Sequence, residues 1–522
     1  MAAVRVNLDA MIPRADFALQ AGEVPVQQIA DFRIEYLSLE APIRRQLRKP
    51  DFQRETNHWS PEQIATFVGS FLDTEVVPSV ILWKSTAFIF VIDGAHRLSA
   101  LRAWMEDDYG DGTISQAFYS GIIPPAQRRI AARTRALVED RIGRYSTLKN
   151  LVGAPVASNP IQAKRAGNLF VRPLQLQWVY GDASVAESSF SKINSQGTPL
   201  DETEAMLINN RRKPIAISAR AIIRAGTGNR YWSSFEDHER TLIETHAGNL
   251  FRVLFEPDML DPLRTLDIPL GGSVSPIDAL GLLIEFLTIA GSATNQVKTI
   301  SAYQDDTNGQ ETIDLLTRSY NITKRITGNS PESLGLHPIV YFYNERGKHS
   351  RFLFLGMTML IAERVRNNDS GFFRKFTLAR QVIEAFLIEY KSLVSILLQN
   401  WSKAQRVTKV RDLFSYLVSQ HTSGKEITPE AAIAFLGVRG RVFDVNPAQT
   451  ATHFSDTTKS ALFVKTAISS ALKCPICHGL LDPAKSVSYD HVQAVRDAGL
   501  GSIENGQLVH PYCNSARESL AA

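Results

Sequence analysis

The first clear amphipathic pattern of the chain begins near residue 60. Ser60 is followed by proline, glutamate and Gln63, an order that is typical of a capped helix start. Beyond it, apolar side chains recur at helical spacing, at Ile64, Phe67, Val68, Phe71 and Leu72. Two short β-like runs follow, at 80–83 and 87–92, and a second helical pattern comes directly after them. The pattern therefore predicts α/β architecture for this part of the chain.

From about residue 215 to residue 420 the pattern of apolar positions becomes mostly helical. Proline-free apolar stretches run over 279–290 and 376–398. Thr428, followed by proline and glutamate, predicts the start of one more short helix. Residues 441–458 mix Pro, Asn, Ser, Thr and Asp without an apolar period, which predicts a linker.

Residues 337–349 interrupt this helical pattern with aromatic residues followed by cations. The mixture allows two interpretations. The aromatic residues of 337–343 can stack on nucleobases beside a basic clamp, or they can form a core strand that carries a basic loop.

The length of 522 residues exceeds the usual size of one compact domain, which is ~100–200 residues. We therefore expect an α+β multidomain protein. The predicted parts are an α/β domain over 1–215, a mostly α-helical connector over 216–440, the linker over 441–458 and a small C-terminal domain over 459–522.

The composition is that of an ordinary globular protein. Apolar residues make up 44% and charged residues 21% of the chain, which excludes an intrinsically disordered or collagen-like polymer. No stretch approaches the ~18 apolar residues of a membrane span, and the N-terminus has no signal-peptide core, so we expect a cytoplasmic protein without a membrane partner. The net charge of +4 allows a polyanionic partner. Basic runs at 44–49, 128–135 and 211–213 are either DNA-phosphate contacts or solvated faces.

The three cysteines all fall in the last 49 residues, where they form two knuckle-like pairs. Cys474 and Cys477 are spaced C-x-x-C, and His510 and Cys513 repeat the spacing after 32 intervening residues. Two such knuckles can supply four ligands to one tetrahedral zinc ion. So short a segment cannot bury a sufficient core of its own, and a structural zinc ion explains how it folds. The alternative is three ordinary buried thiols.

Between and after the knuckles stand Asp490, His491, Asn505 and Asn514. Together with the knuckles, over about 474–517, they resemble the HNH endonuclease family, a ββα-metal fold. The resemblance implies that Asp490 and Asn514 hold one divalent ion, most simply Mg²⁺. It makes His491 the general base that activates water, and Asn505 the residue that braces the loop behind it.

The tail departs from the HNH pattern in two places. His510 stands where the family has its third cysteine, and zinc accepts this replacement. The proline and glycines that are common after the Asp-His pair are absent, and Asp497, Gly499 and Gly501 occupy that stretch instead. A zinc ribbon that binds nucleic acid or protein without cutting is the alternative.

A second ordered set of residues lies in the N-terminal part. It consists of the following pieces: Gln53-Arg54, Trp59-Ser60, Pro78, Asp93-Gly94-Ala95-His96-Arg97, Phe190 to Asn194, Gly197 to Leu200, and Glu204. In this order, over about 44–215, the pieces resemble the N-terminal domain of GmrSD-type modification-dependent restriction enzymes. That family belongs to the wider ParB/sulfiredoxin-like class. The resemblance implies a ParB-like domain that binds and hydrolyses a nucleotide in order to gate a nuclease.

The resemblance implies a nucleotide site formed by Arg54, Asp93, Gly94, His96, Arg97 and Asn194. The chemistry agrees in outline, because a glycine before a helix lets a phosphate approach backbone N–H groups and arginines bind phosphate oxygens in pairs. Asp93 would then be a metal ligand or a base that orients water. The simpler alternative is turn chemistry, with Asp93 as a cap and Arg97 in a surface ion pair. Ala95 replaces a glutamine that is usual in the family.

These features together predict a modification-dependent, type IV-like anti-phage restriction endonuclease. Its cofactors would be structural Zn²⁺, catalytic Mg²⁺ or another divalent ion, and a nucleoside triphosphate, and its substrate would be DNA. Two alternatives remain open. One is a non-enzymatic DNA-binding regulator with a ParB-like clamp and a zinc ribbon, and the other is a nucleotide-gated nuclease toxin. The sequence leaves the oligomeric state open.

Overall fold

The structure is a computed structural model of the chain. It describes residues 5–15, 17, 29–51, 53, 56–152, 159–196, 202–228, 231–273, 276–437 and 453–521. The chain folds into two compact units. Unit 1 comprises Met1–Arg211 and Thr227–Tyr231, and unit 2 comprises Arg212–Gly226 and Trp232–Ala522.

Unit 1 contains a mixed sheet of six strands. The strands are β1 (Arg14–Ala15), β2 (Asp31–Phe32), β3 (Leu47–Pro50), β4 (Val80–Lys84), β5 (Ile89–Asp93) and β6 (Leu174–Val179). Their order is β1-β3-β5-β4-β6-β2, with β4 antiparallel to β5 and parallel to β6. Most residues of the central strands β5 and β4 are buried, as expected for strands covered on both faces. The predicted α+β class is confirmed.

Nine α-helices surround this sheet in the described part of unit 1. They are α1 (Pro42–Gln46), α2 (Pro61–Leu72), α3 (Ala95–Glu106), α4 (Thr113–Phe118), α5 (Pro125–Arg141), α6 (Tyr145–Leu151), α7 (Pro160–Leu169), α8 (Ala183–Gln196) and α9 (Glu202–Asn209). Helix α2 begins with the predicted capping box, in which Ser60 and Gln63 each accept a hydrogen bond from the other's backbone N–H. The described residues of the unit also form two 3₁₀ turns, Asp9–Met11 and Ile34–Leu37.

Unit 2 is mostly helical and carries one hairpin near its C-terminus. Its described helices are α10 (Pro214–Ile223), α11 (Asp237–Phe255), α12 (Pro276–Ala290), α13 (Gln310–Ile326), α14 (Pro338–Tyr341), α15 (Arg351–Arg366), α16 (Ser370–Glu389), α17 (Lys391–Gln399), α18 (Lys403–Thr422), α19 (Pro429–Leu436), α20 (Asp456–Ser469), α21 (Pro511–Ser515) and α22 (Arg517–Ala521). Strands β7 (Ser488–His491) and β8 (Gly506–Val509) form the antiparallel hairpin. Two 3₁₀ turns lie at Ile300–Ala302 and Val495–Asp497.

The aromatic segment before residue 344 lies in the core, as one of the two interpretations held, but its backbone is not a strand. Its residues 338–341 form helix α14, and the segment lies in the core: Ile339, Val340, Tyr341, Phe342 and Tyr343 are all at most 2% exposed. Side chains so deeply buried cannot stack on nucleobases, and the backbone is helical rather than extended. Stacking on nucleobases was therefore wrong, whereas the alternative of a core segment is confirmed in its burial but not in its strand.

Two further expectations can be compared with the elements. Residues 441–452 of the predicted linker lie outside the described residues, and helix α20 already begins at Asp456, before the predicted end of the linker. Among the described helices, none combines the length and apolar character needed to cross a membrane.

Candidate functional site

The two predicted knuckles meet in one buried cluster. The potential ligand atoms of Cys474, Cys477, His510 and Cys513 all lie within 4.8 Å of one another, and all four residues are buried. Three sulfurs and one imidazole nitrogen at this spacing are the donor set of a tetrahedral structural zinc site. The predicted metal cluster is therefore confirmed in its residues, and zinc fits its donors.

The imidazole of His510 is already oriented for binding through one nitrogen. Its Nδ1 lies 3.3 Å from Sγ of Cys477, and its Nε2 lies 2.9 Å from the carbonyl oxygen of Leu480, to which Nε2–H donates. A hydrogen bond from the ring nitrogen that does not bind the metal fixes the tautomer of a metal-binding histidine. Burial lowers the pKa of His510, which keeps the imidazole neutral and able to coordinate.

The three thiols share their protons unevenly. Hydrogen bonds from Cys477 and Cys513 lower the pKa of Cys474, whereas the hydrogen bond with Cys474 raises the pKa of Cys477 to about 11. The same thiol contacts raise the pKa of Cys513. Thiolates so close together repel one another, and a bound dication would compensate their charge.

The cluster is anchored to helix α16 of the same unit. Glu384 accepts a hydrogen bond from the backbone N–H of Leu480 at 2.7 Å, and it pairs with Arg380 one turn earlier. Gly479 lies against this pair, since a Cβ there would clash with Nε of Arg380. The C-terminal metal segment therefore packs on the helical core rather than folding around zinc alone.

The hairpin carries a polar cluster on one face. Asp490 accepts hydrogen bonds through Oδ2 from Gln507 at 2.8 Å and from Arg517 at 2.9 Å. Asn514 donates through Nδ2 to Oγ of Ser488 at 2.8 Å. Because Ser488 and Asp490 are two residues apart on β7, they share a face, and the two residues expected to hold the divalent ion lie on the same side of the hairpin.

Two side-chain oxygens of this face remain available. Within the described part of the chain, no hydrogen bond reaches Oδ1 of Asp490 or Oδ1 of Asn514. Carboxylate and amide oxygens are the ligands that Mg²⁺ prefers, so the residues present fit a divalent ion. The side chain of Asp490 is only 10% exposed, whereas that of Arg517 is 39% exposed.

His491 is the last residue of β7 and lies half-buried. Alternation along the strand places its side chain with Tyr489 on the opposite face from Asp490, and Tyr489 is 80% exposed. The structure thus brings Asp490 and His491 to the same strand end, on its two sides. A phosphate that contacts both must lie across that end.

Asn505 closes the loop that follows His491. Its Oδ1 accepts from the backbone N–H of Gln493 at 2.7 Å, and its Nδ2 donates to the carbonyl oxygens of Gln493 at 3.1 Å and Leu500 at 2.7 Å. The loop also needs a glycine at 499, because a Cβ there would clash with the carbonyl oxygen of Gln493. His478 is exposed and lies outside the metal cluster.

In unit 1 the predicted strand–turn–helix is present between β5 and α3. Gly94 caps α3 in the left-handed conformation, with a φ of 99°, and a Cβ there would stand 3.0 Å from Val80. Glycine is the residue that this geometry requires. Arg97 donates to Asp93 and, at 3.0 Å, to the carbonyl oxygen of Ser79. The arrangement includes the i,i+4 ion pair that the simpler alternative had foreseen.

The separate pieces of the N-terminal motif meet beside this turn. His96 stacks on Trp59 and meets His58 edge to face, with ring centroids 5.7 Å apart in both pairs. Nε2 of His58 also lies 2.7 Å from Oε1 of Glu204. Sequence reasoning missed His58, although it directly precedes the tryptophan of the motif. Arg54 lies outside the described residues, and Asn194 lies on α8 with its side chain outside the description.

A buried ion cluster, also missed, holds the segment that contains Gln53. Lys49 donates to Oδ1 of Asp9 at 2.6 Å, both side chains being fully buried, and to Thr56 at 3.0 Å. Arg14 donates to Oδ1 of Asp9 at 2.8 Å and to the carbonyl oxygen of Gln53. The cluster fixes both sides of the motif loop, and Asp9 is too distant in sequence for any local pattern to suggest it.

The three basic runs are partly neutralised. Arg48 lies over the ring of Phe88, and Arg135 pairs with Asp107 and Asp111. Exposed cations remain, including Arg128 and Arg129 on α5. These runs therefore combine structural pairs with solvated charges.

The family comparison agrees with the motif in unit 1. Residues 38–212 match the family described as "GmrSD restriction endonuclease, N-terminal domain". No curated protein and no solved structure matches the chain significantly. The matched range contains the β5–α3 turn, the His58–Glu204 pair and the Asp93–Arg97 pair, and residues 38–212 are accordingly a GmrSD-type N-terminal domain.

Proposed function

We propose that this protein is a restriction endonuclease of the GmrSD type whose C-terminal hairpin cleaves DNA as an HNH nuclease. The observation that carries the proposal is the hairpin itself, where Asp490, His491 and Asn514 gather beside a buried Cys₃His cluster. An acidic residue and an amide that can hold a divalent ion, with a histidine that can accept a proton, suit metal-assisted phosphodiester hydrolysis, and a structural zinc ion would stabilise the segment that carries them.

In this proposal each residue of the hairpin has one task. Asp490 and Asn514 hold a divalent ion through their available Oδ1 atoms. When bound, that ion supplies positive charge to the scissile phosphate. His491, approached from the other side of the strand end, takes the proton of the attacking water. Asn505 keeps the backbone behind His491 in place through its contacts with Gln493 and Leu500.

The N-terminal domain would supply the gate. The αL turn at Gly94 leaves backbone N–H groups of α3 at its N-terminus, which suits a phosphate. Arg97, which donates to Asp93, would also donate to phosphate oxygens. Arg54, His96 and Asn194 would complete the nucleotide site. Modified DNA as the substrate, nucleotide hydrolysis and the ParB-like relationship belong to this proposal.

Cleavage assays with matched histidine variants test the nuclease. Wild type, His491→Ala and His453→Ala are incubated with Mg²⁺ and a panel of modified and unmodified DNAs, with and without each nucleoside triphosphate. His453 is an exposed histidine outside the hairpin. We expect His491→Ala to lose about 10²–10⁴-fold of the cleavage rate while His453→Ala cuts like wild type. If wild type cleaves none of these DNAs, the proposed nuclease function is rejected and the non-enzymatic DNA-binding regulator is favoured.

A toxicity assay addresses the third function. A nuclease toxin would slow growth of the expressing cells in the absence of phage, and His491→Ala would relieve the effect. A restriction enzyme would leave uninfected cells growing normally and would lower phage yield. Zinc content is measured in every variant, so that a loss of activity is not confused with a loss of folding.

A further inference from the structure

Arg517 makes more contacts in the nuclease hairpin than the motif explains. Its Nη1 donates to Oδ2 of Asp490 at 2.9 Å and to the carbonyl oxygen of His491 at 2.5 Å. Its Nη2 donates to the carbonyl oxygen of Val492 at 3.0 Å. One guanidinium therefore binds three consecutive residues at the end of β7.

The partner atoms decide what this arrangement does. Oδ2 of Asp490 already accepts from Gln507, so with Arg517 both of its strong acceptor directions are used. The carboxylate is thereby fixed in rotation, and Oδ1 is the oxygen left for an ion. The two backbone contacts hold the carbonyl groups of His491 and Val492, and the first of these belongs to the residue that carries the imidazole.

The geometry of Arg517 orders the residues that hold the divalent ion, whereas its positive charge opposes binding of that ion. A cation on Oδ2 weakens the attraction of Asp490 for a second cation. The side chain of Asp490 is 10% exposed, so solvent screens this repulsion only in part. Arg517 should therefore make the ion bind less tightly while holding the ligand and the base in the productive geometry.

Resting on the proposed nuclease function, we infer that Arg517 is the positioning residue of this site, which orients Asp490 and His491 and lowers the affinity of Asp490 for the divalent ion.

Three variants separate charge from geometry. Arg517→Gln removes the charge and the three-way contact, and Arg517→Lys keeps the charge but loses the fork. Arg496→Ala is the matched control, because Arg496 contacts Glu518 in the same part of the tail, is 72% exposed, and does not contact Asp490. All are prepared as zinc-loaded full-length protein.

Two measurements are made on each variant. Mn²⁺ binding is followed by electron paramagnetic resonance without DNA, and kcat and KM are measured on a cleaved DNA. For Arg517→Gln we expect Mn²⁺ binding to tighten on the order of tenfold and kcat to fall about 10- to 100-fold with KM nearly unchanged. Arg517→Lys should retain the Mn²⁺ affinity of wild type with an intermediate kcat, and Arg496→Ala should match wild type in both.

The opposite movement of affinity and rate is the distinguishing result. A merely structural residue would lower Mn²⁺ affinity, zinc content and rate together, and that outcome overturns the inference. Wild-type kcat and Mn²⁺ affinity in Arg517→Gln, or no Mn²⁺ binding by wild type, also overturns it. If wild type binds Mn²⁺ but cuts no DNA, the proposed nuclease fails, and the Mn²⁺ series alone decides the role of Arg517.

Discussion

The buried histidine His337 makes the stability of unit 2 depend on pH. His337 is 2% exposed, and its Nδ1 accepts a hydrogen bond from the backbone N–H of Ile339 at 3.3 Å, which caps helix α14. Burial, together with the nearby cations Lys485, Arg380 and Lys391, lowers the pKa of His337 from 6.5 to about 3. The folded protein therefore keeps this side chain neutral where the unfolded chain binds a proton.

The sign of the resulting pH dependence follows from linkage. The stabilisation is fully present above pH 6.5 and is lost as the pH falls from 6.5 towards about 3. In this interval the histidine lowers the free energy of unfolding by about 1.4 kcal/mol for each unit by which the pH falls. His337→Asn keeps a capping acceptor but does not titrate, so we expect denaturant unfolding between pH 7 and pH 5 to depend less on pH by about 2 kcal/mol.

The control for this prediction is His453→Asn, an exposed histidine whose replacement should leave the pH slope of wild type. Because both variants retain the zinc ligands, acid release of zinc affects them equally. If the free energy of unfolding depends equally on pH in wild type and in His337→Asn, His337 is not held neutral in the folded protein.

At the scale of elements, helix α16 joins the helical core to the metal segment. Glu384 accepts from Tyr341 at 2.9 Å and from the backbone N–H of Leu480 at 2.7 Å, and it pairs with the equally buried Arg380. Arg380 in turn donates to the carbonyl oxygens of Leu334 and Gly335. The carbonyl oxygen of Leu480 then accepts from His510, so the chain of hydrogen bonds ends at a predicted zinc ligand.

Removing the charge of Glu384 should therefore affect both folding and the metal. Glu384→Gln leaves the guanidinium of Arg380 buried without its counter-ion, and we expect the free energy of unfolding of unit 2 to fall by about 3–5 kcal/mol. Zinc affinity should fall as well, because Leu480 positions His510. Denaturant unfolding and competition with a zinc chelator measure the two effects.

Glu363→Gln, on helix α15, is the matched control for this prediction. Glu363 pairs with Arg411, but the two side chains are 24% and 28% exposed, so the loss should be about 1 kcal/mol or less. Similar losses in the two variants would show that burial of the Arg380–Glu384 pair does not matter.

These elements also mark the limit of prediction from the sequence. The capping box at Ser60, the αL glycine at Gly94 and the knuckle spacing are local patterns, and each predicted its structure correctly. The contact between Glu384 and Leu480 joins residues 96 positions apart, and no local pattern encodes such pairs. The aromatic segment before residue 344 left two interpretations open for the same reason, since its burial depends on the helices that pack around it.

At the scale of the whole molecule, the two compact units depend on different chemistry. The described part of unit 1 contains a mixed sheet, whereas that of unit 2 combines a helical core with the Cys₃His cluster. A structural zinc ion contributes on the order of 10 kcal/mol to the fold that holds it. Since α16 packs directly on the cluster through Glu384, loss of zinc should loosen the helical core of unit 2 and not only its last residues.

Removal of zinc from the full-length protein tests this division. We expect a chelator to lower the unfolding temperature of unit 2 on the order of 10 °C or more, and to leave unit 1 unchanged. Hydrogen exchange gives the location: α16 (Ser370–Glu389) should lose protection while α3 (Ala95–Glu106) keeps it, and added zinc should restore α16. Without any chelator, Cys513→Ser should show the same low unfolding temperature and the same loss of protection in α16 as the chelated wild type. Loss of protection confined to 474–521 would mean that the metal segment folds independently of α16, contrary to the contacts that join them.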